Sequence, residues 1–204
     1  MIKIIKTNQN INQPIFFKSS LGFLNLFLID LKIKIPKNVK INNNNNTLQF
    51  NGPLGQLNLN IINEIFVCVT KNNIILNYNN LYSKKNKKSV LNLYKSLIQL
   101  KIKGILQGFK LNLFMKGLGF KANIEKKKLI LKLGFSHTIN IQIPDNIQII
   151  NNVNKLIFSS IDFIFLTKYV HFIKNHKKPE PYKGKGLIFK DEIVIRKEGK
   201  KSKK

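Results

Sequence analysis

Hydrophobic positions in this chain recur first by alternation, then at helical spacing, and the same order runs through a second time. Alternation lays one face of a strand on a core, whereas spacings of three and four put apolar side chains on one helix face. From Lys32 the run KIKIP begins a strand that Pro36 and Asn38 turn. Short β patterns follow at Thr47–Phe50, Gln56–Ile61, Ile65–Thr70 and Ile74–Tyr78, with Gly52-Pro53, Gly55 and Lys71-Asn72-Asn73 as turns. Leu91, Tyr94, Ile98, Ile102 and Ile105 then stand 3, 4, 4 and 3 apart, which predicts a helix ended by Gly104 and Gly108.

Lys110–Met115 opens the second round as a strand, and Leu129–Leu133 and Thr138–Ile143 continue it up to a turn at Pro144-Asp145-Asn146. Ile147–Ile150 and Leu156–Phe158 read as a hairpin across Asn151 to Lys155. A helix follows, with Ser160 or Asp162 as its cap and Leu166, Tyr169, Val170 and Ile173 as its apolar stripe. Lys174, Lys177 and Lys178 crowd its C-terminal end, where the helix dipole favours cations, and Pro179 stops it.

The two rounds keep register. Gly52 aligns with Gly134, Leu57 with Ile139, Leu59 with Ile141, Ile61 with Ile143, Ile65 with Ile147, Val67 with Ile149, Ile74 with Leu156 and Leu76 with Phe158, each 82 residues apart (134 − 52, for example). The expected fold class is therefore α+β: two tandem copies of a small unit of antiparallel strands packed with one helix, plus a basic C-terminal tail. The expected boundaries are an N-terminal extension over residues 1–30, a first repeat over 31–108, a second over 109–178 and the tail over 179–204.

Charge narrows the partner. The chain has 204 residues, 36 Lys and Arg against 9 Asp and Glu, and a formal charge of +27, with hydrophobic content of 43%. A domain with this excess repels itself, and a polyanion relieves the repulsion most directly. Arg196 is the only arginine and Ala122 the only alanine, while Lys, Asn, Ile and Phe abound. Those four residues have A/T-rich codons, so the usage points to an A+T-rich genome such as that of an organelle. Asn42 to Asn46 then reads as loop filler. No Arg-rich amphipathic presequence opens the chain, which suits a protein made inside the organelle that uses it. The apolar stretch Leu21–Ile29 is too short to span a bilayer.

Enzyme chemistry finds little support. Gly117-Leu118-Gly119-Phe120-Lys121-Ala122 matches a dinucleotide fingerprint, but the following segment reads as strand, so no helix N-terminus meets a pyrophosphate. Its glycines suit a tight bend, with Lys116 and Lys121 as flanking phosphate contacts. Gly184-Lys185-Gly186 lacks the preceding glycine and the following Ser/Thr of a P-loop. His171 and His176 are five apart and fall on different helix faces, so no zinc spacing exists. Ser136 and His137 are adjacent in an extended run and point to opposite sides. Cys68, alone in IFVCVT, reads as a structural thiol. No catalytic residue, metal site or cofactor is expected.

Basic clusters carry more. Lys84, Lys85, Lys87 and Lys88 form one patch, Lys126 to Lys128 a second, and Lys177 to Lys204 a third. The last holds eleven basic residues against four acids, so 11 − 4 leaves +7, and with so few apolar side chains it is expected to order only on a polyanion. Within it, glycines admit close backbone approach to phosphates, Tyr182 offers a stacking face and lysines supply charge. An anionic membrane is the rival partner, but the helix near residues 90–106 offers only Lys95, Lys101 and Lys103 beside neutral positions.

Pro179-Glu180-Pro181-Tyr182-Lys183-Gly184-Lys185-Gly186, followed by Lys197-Glu198-Gly199-Lys200-Lys201, resembles the C-terminal signature of ribosomal protein six of the large subunit, bacterial and organellar type. Ile35-Pro36 through Asn51-Gly52-Pro53-Leu54-Gly55, the stretch Gly117–Ala122 and Leu133-Gly134-Phe135-Ser136-His137 agree in order, so the resemblance covers Lys32 to Lys201. It implies a duplicated α+β fold and a non-enzymatic scaffold that binds large-subunit rRNA near the sarcin-ricin loop and the stalk base. Neighbouring large-subunit proteins and nearby translation factors are the further partners implied, without membrane insertion. The implied rRNA contacts are Lys177, Lys178, Tyr182, Lys183, Gly184, Lys185, Gly186, Lys197, Lys200 and Lys201. A lysine precedes Pro179 where the family often has arginine, which keeps the charge but loses the planar fork. The expected setting is a mitochondrial ribosome, favoured over a plastid one, and the alternative is a free-standing organellar RNA-maturation factor.

Overall fold

A computed structural model of the chain describes residues 31–44, 46–78 and 87–199. The expected extension over residues 1–30, together with Lys84, Lys85, Lys200 and Lys201, lies outside the described residues. Six strands open the order: β1 (Leu31–Lys34), β2 (Lys40–Asn44), β3 (Thr47–Gly52), β4 (Gly55–Asn60), β5 (Ile65–Val69) and β6 (Asn73–Tyr78). Helix α1 (Lys87–Gln107) follows. Then come β7 (Phe109–Lys116), β8 (Lys121–Glu125), β9 (Lys128–Lys132), β10 (Ile139–Gln142), β11 (Gln148–Asn152), β12 (Lys155–Ser160), α2 (Phe163–Asn175) and β13 (Gly186–Phe189).

All strand pairs are antiparallel, and the two rounds build like sheets. The first has β1-β6-β5 and β2-β3-β4; the second has β7-β12-β11, extended by β13, and β8-β9-β10. Register refines the repeat. Val67 faces Leu76 and Ile149 faces Phe158, each residue 82 after its counterpart. Ile33 faces Ile74 while Leu113 faces Leu156, so the opening strands stand 80 apart (113 − 33). Leu48 and Phe50 are as fully buried as Leu129 and Leu131, which displaces β3 by 81 (129 − 48). Short strands therefore kept their faces while the turns between them changed length, because a one-residue slip would turn a strand's apolar side outward.

Each round buries its own core. In the first, Leu48, Phe50, Ile74 and Leu76 meet Leu91, Ile98 and Ile105 of α1; in the second, Leu129, Leu131, Leu156 and Phe158 meet Leu166, Val170 and Ile173 of α2. The five-residue stripe expected on the first helix is buried throughout, whereas Tyr169 of the second stripe is only partly covered. Burial pushes the Tyr169 hydroxyl up to about 12, and that hydroxyl donates to the Gln142 carbonyl at 3.0 Å.

Three elements differ from the periodic reading. Lys40–Asn44, which overlaps the Asn42–Asn46 run expected to be filler, pairs with β3, and Lys121–Glu125 pairs with β9. Both are edge strands that turn little toward the core, Ile41 half-buried in one and Ala122 buried in the other. Backbone pairing holds them, and apolar alternation does not mark such strands. The third difference is Gly104, which does not end α1. The helix runs to Gln107, and Gly108, at φ 68°, closes it by donating to the Gly104 carbonyl at 2.9 Å.

Gly104 instead permits the joint between the two rounds. A Cβ there would lie 2.1 Å from the Ile161 carbonyl oxygen, so the two backbones touch. One turn earlier, buried Lys101 pairs with Asp162 at 2.6 Å. Asp162 is the N-cap of α2, and its other oxygen accepts from the Ile164 N–H at 3.1 Å. The Gly52-Pro53-Leu54-Gly55 turn closes the same joint. Leu54 donates its N–H to the Ile105 carbonyl at 3.2 Å, and a Cβ on Gly55 would lie 3.1 Å from the Ile161 side chain.

Candidate nucleic-acid interface

Three loops meet at one end of the second unit, two of them on the ring of Phe120. The turn after β7 contains Gly117, where a Cβ would stand 2.8 Å from that ring, and Gly134 of the loop after β9 would bring one to 3.4 Å. Both loops therefore rest on a single side chain that is itself 9% exposed. β13 brings the third loop, because its first residue, Gly186, lies opposite Lys116 at the end of β7. Lys177 ties this loop to the second: its Nζ stands 5.0 Å over the Phe135 ring and 3.4 Å from the Glu180 carboxylate.

The segment from Pro179 has a definite shape, contrary to the expectation that it orders only on a polyanion. Glu180 donates to the Lys185 carbonyl and Gly184 to the Glu180 carbonyl, each at 2.9 Å. Leu187 donates to the Lys177 carbonyl at 2.9 Å, and Lys197 to the Pro181 carbonyl at 2.8 Å. Leu187 and Ile188 are buried, so two apolar side chains and one strand of pairing with β7 order a segment whose overall charge argued against it. Gly186 is required here. Its φ of 151° disfavours other residues, and a Cβ would strike Pro179 Cα at 2.6 Å.

Of the expected contacts, Lys178, Lys183 and Lys197 are exposed, Tyr182 is 60% exposed, and Lys177 and Lys185 are half-buried. Gly184 and Gly186 are buried and shape the loop. The structure therefore brings eight of the ten expected residues into one folded segment, the other two being Lys200 and Lys201. It adds Arg196, whose Nε would lie 2.9 Å from a Cβ at Gly184, and Lys116 beside Gly186. Lys116 is expected from the sequence as a phosphate contact beside the Gly117–Gly119 bend, whereas Arg196 is not expected as a contact. Lys126 and Lys127 form the β8–β9 turn at the far end of that hairpin, with φ of 40° and 64°, so the second lysine patch is not part of this surface. Lys88 of the first patch is exposed at the start of α1, and Lys87 stands 5.5 Å over the Tyr78 ring.

Glu192 anchors the end of β13. It pairs with Lys174 of α2 at 2.7 Å and accepts from the Phe189 N–H at 3.1 Å. Burial raises its carboxyl, but the Lys174 bond, the Phe189 N–H and the nearby charges of Lys174 and His171 outweigh this and hold it below the usual carboxylate range. A carboxyl lowered by folding stabilises fully above its unfolded value, about 4.3, and that contribution is lost as the pH falls through the lower native value. The Phe189 amide NMR shift is therefore expected to move on acidification below about pH 4.3. Glu192→Gln should remove that step; persistence of the step in the variant would assign it to another group.

Among the described residues no group of three His, Cys, Asp or Glu side chains is placed to hold a metal, and no helix is long and apolar enough to cross a membrane. The glycine turn at 117–119 leads into β8 rather than a helix, so the dinucleotide match has no dipole behind it.

No family model matches the chain. Curated relatives do. The chain is 37% identical over 179 residues to the large ribosomal subunit protein uL6 of Karelsulcia muelleri, which covers 85% of this chain and 97% of the relative. To the uL6 of Geotalea daltonii it is 34% identical over 175 residues, 85% of this chain and 97% of that one. To the large ribosomal subunit protein uL6c of Spinacia oleracea it is 34% identical over 173 residues, 84% and 78%. These relatives are bacterial or of the uL6c, chloroplast type, and they lean away from the mitochondrial setting expected from the sequence.

Proposed function

We propose a role that proceeds from what those identities establish: the chain belongs to the uL6 family and is a structural, non-enzymatic protein of the large ribosomal subunit. Within that role, the end of the second unit is the rRNA-binding surface, and it sits near the sarcin-ricin loop and stalk base, as the resemblance of its three loops implies. The observation that carries this reading is the convergence of those loops on Phe120 and Lys177, which masses Lys116, Lys178, Lys183, Lys185, Arg196 and Lys197 at one end. Lysines fixed on a shaped backbone can meet several phosphates at once, with the ordering entropy already lost on folding. The A+T-rich residue usage supports an organellar ribosome, and the uL6c relatives favour a plastid. Neighbouring ribosomal proteins and passing translation factors are the remaining partners of that position.

Reversing two of these charges tests the surface. Lys183→Glu with Lys185→Glu is expected to weaken incorporation into the large subunit and to reduce the salt dependence of rRNA binding by about two phosphates, with a slope near −0.9 per phosphate on duplex DNA as analogue. The unfolding midpoint should not move, because Lys183 is exposed and Lys185 half-buried. Normal assembly with an unchanged slope would reject this surface. Sedimentation of the chain apart from large subunits, with free RNA, would favour a maturation factor.

A further inference from the structure

The loop Gly134–Thr138 has no assigned part beyond its place beside the lysines, yet its exposed surface is aromatic. Phe135 is 43% exposed, His137 is exposed, and their rings lie 22° from parallel with centroids 6.0 Å apart. The ammonium of Lys177, 5.0 Å over the Phe135 ring, fixes that ring from the side of the basic segment. None of these rings is needed by the core beneath, which Leu129, Leu131 and Leu133 fill. An apolar ring held in water by a cation, next to a second ring of similar orientation, leaves π surface uncovered.

We propose that Phe135 and His137 form a stacking platform for an unpaired RNA base, adjacent to the phosphates that the lysines of the C-terminal segment hold. This rests on the rRNA reading of the same surface and names what that surface recognises beyond phosphate. Paired bases in a helix keep their faces covered, so such a platform selects a bulged, looped or splayed nucleotide. The adjoining cations favour RNA over an apolar protein partner, since lysines beside the rings can meet the phosphates of the strand whose base stacks on them. Stacking accepts any base and releases no counterions, so it adds affinity without adding salt dependence.

Binding of the full chain to purified large-subunit rRNA, measured across a salt series, tests the platform. Phe135→Leu combined with His137→Leu is expected to weaken binding about tenfold while leaving the slope against salt unchanged. Phe135→Tyr keeps a ring and is expected to bind as the wild type does. Affinity within twofold of wild type for the leucine pair overturns the platform, as does a tyrosine variant that falls as far as the leucine pair. A loss accompanied by a shallower slope also overturns it, because the loop would then be acting through phosphate contacts. If the wild-type chain shows no salt-dependent rRNA binding at all, the rRNA reading falls first and takes the platform with it.

Discussion

Replacing Asp162 with alanine is expected to lower the unfolding free energy by about 3 kcal/mol, more than an N-cap alone explains. Asp162 does two jobs with two oxygens: one caps α2 through the Ile164 N–H, the other meets Lys101 of α1 at 2.6 Å. The Lys101 side chain is 9% exposed, so removing its partner leaves an ammonium that neither water nor protein satisfies. Loss of an N-cap by itself costs about 1 kcal/mol, and the remainder measures the stranded charge. Replacing both partners, as Lys101→Met with Asp162→Asn, should recover most of the loss, because an asparagine still caps and a methionine fills the lysine's space without charge. Urea denaturation decides it. A loss of only about 1 kcal/mol for Asp162→Ala would mean that the ion pair contributes nothing to the joint.

Gly104→Ala is the second large effect, and its sign is the informative part. In an exposed helix interior, alanine in place of glycine stabilises by about 1 kcal/mol. At Gly104 the new methyl would stand 2.1 Å from the Ile161 carbonyl oxygen and 3.0 Å from the Phe109 ring. The Ile161 carbonyl is backbone and cannot yield by a rotamer change, so α1 must move off the second unit or the joint must open. A net loss of about 1–3 kcal/mol is expected from overpacking. Both blocking residues, Phe109 and Ile161, belong to the second unit, so a fragment holding only the first unit should show the ordinary stabilisation if it folds alone. A stabilised full chain would show that the two units do not touch as described.

Much of the fold was legible because strands and helices announce themselves locally. Leu91, Tyr94, Ile98, Ile102 and Ile105 carry their spacing in the sequence, and all five are buried. The repeat was legible for the same reason, although the common shift of 82 holds only for the later strands. Alternating faces repeat every two residues, so a shift wrong by two, as at the opening strands, survives inspection wherever a turn changed length. Edge strands such as Lys40–Asn44 escaped because backbone pairing holds them and few apolar side chains mark them.

The candidate site divides in a similar way. The expected contacts after Pro179 were recognised from their motif, and the structure gathers those it describes in one loop. Charge averaged over Lys177 to Lys204 outweighs the short apolar run at Leu187 and Ile188, yet these two buried side chains need only one strand of pairing with β7 to fix the segment. In the sequence Phe135 is one residue of a matched stretch and Arg196 the only arginine. Their parts depend on neighbours 42 residues away (177 − 135) and 12 residues away (196 − 184).

By itself the sequence determined the α+β class, the duplication, the core faces and the excess of positive charge, since periodicity and net charge are properties of the chain whatever its path. Only the tertiary structure decided which motifs belong together. Gly52-Pro53-Leu54-Gly55 and Gly104 went to the joint between units, while the glycines at 117, 134, 184 and 186 went to one cationic end. Both groups look alike in sequence, because a glycine records that something comes close but not what. The approaching atom, an Ile161 carbonyl at Gly104 and a Phe120 ring at Gly134, belongs to another segment whose position exists only after folding.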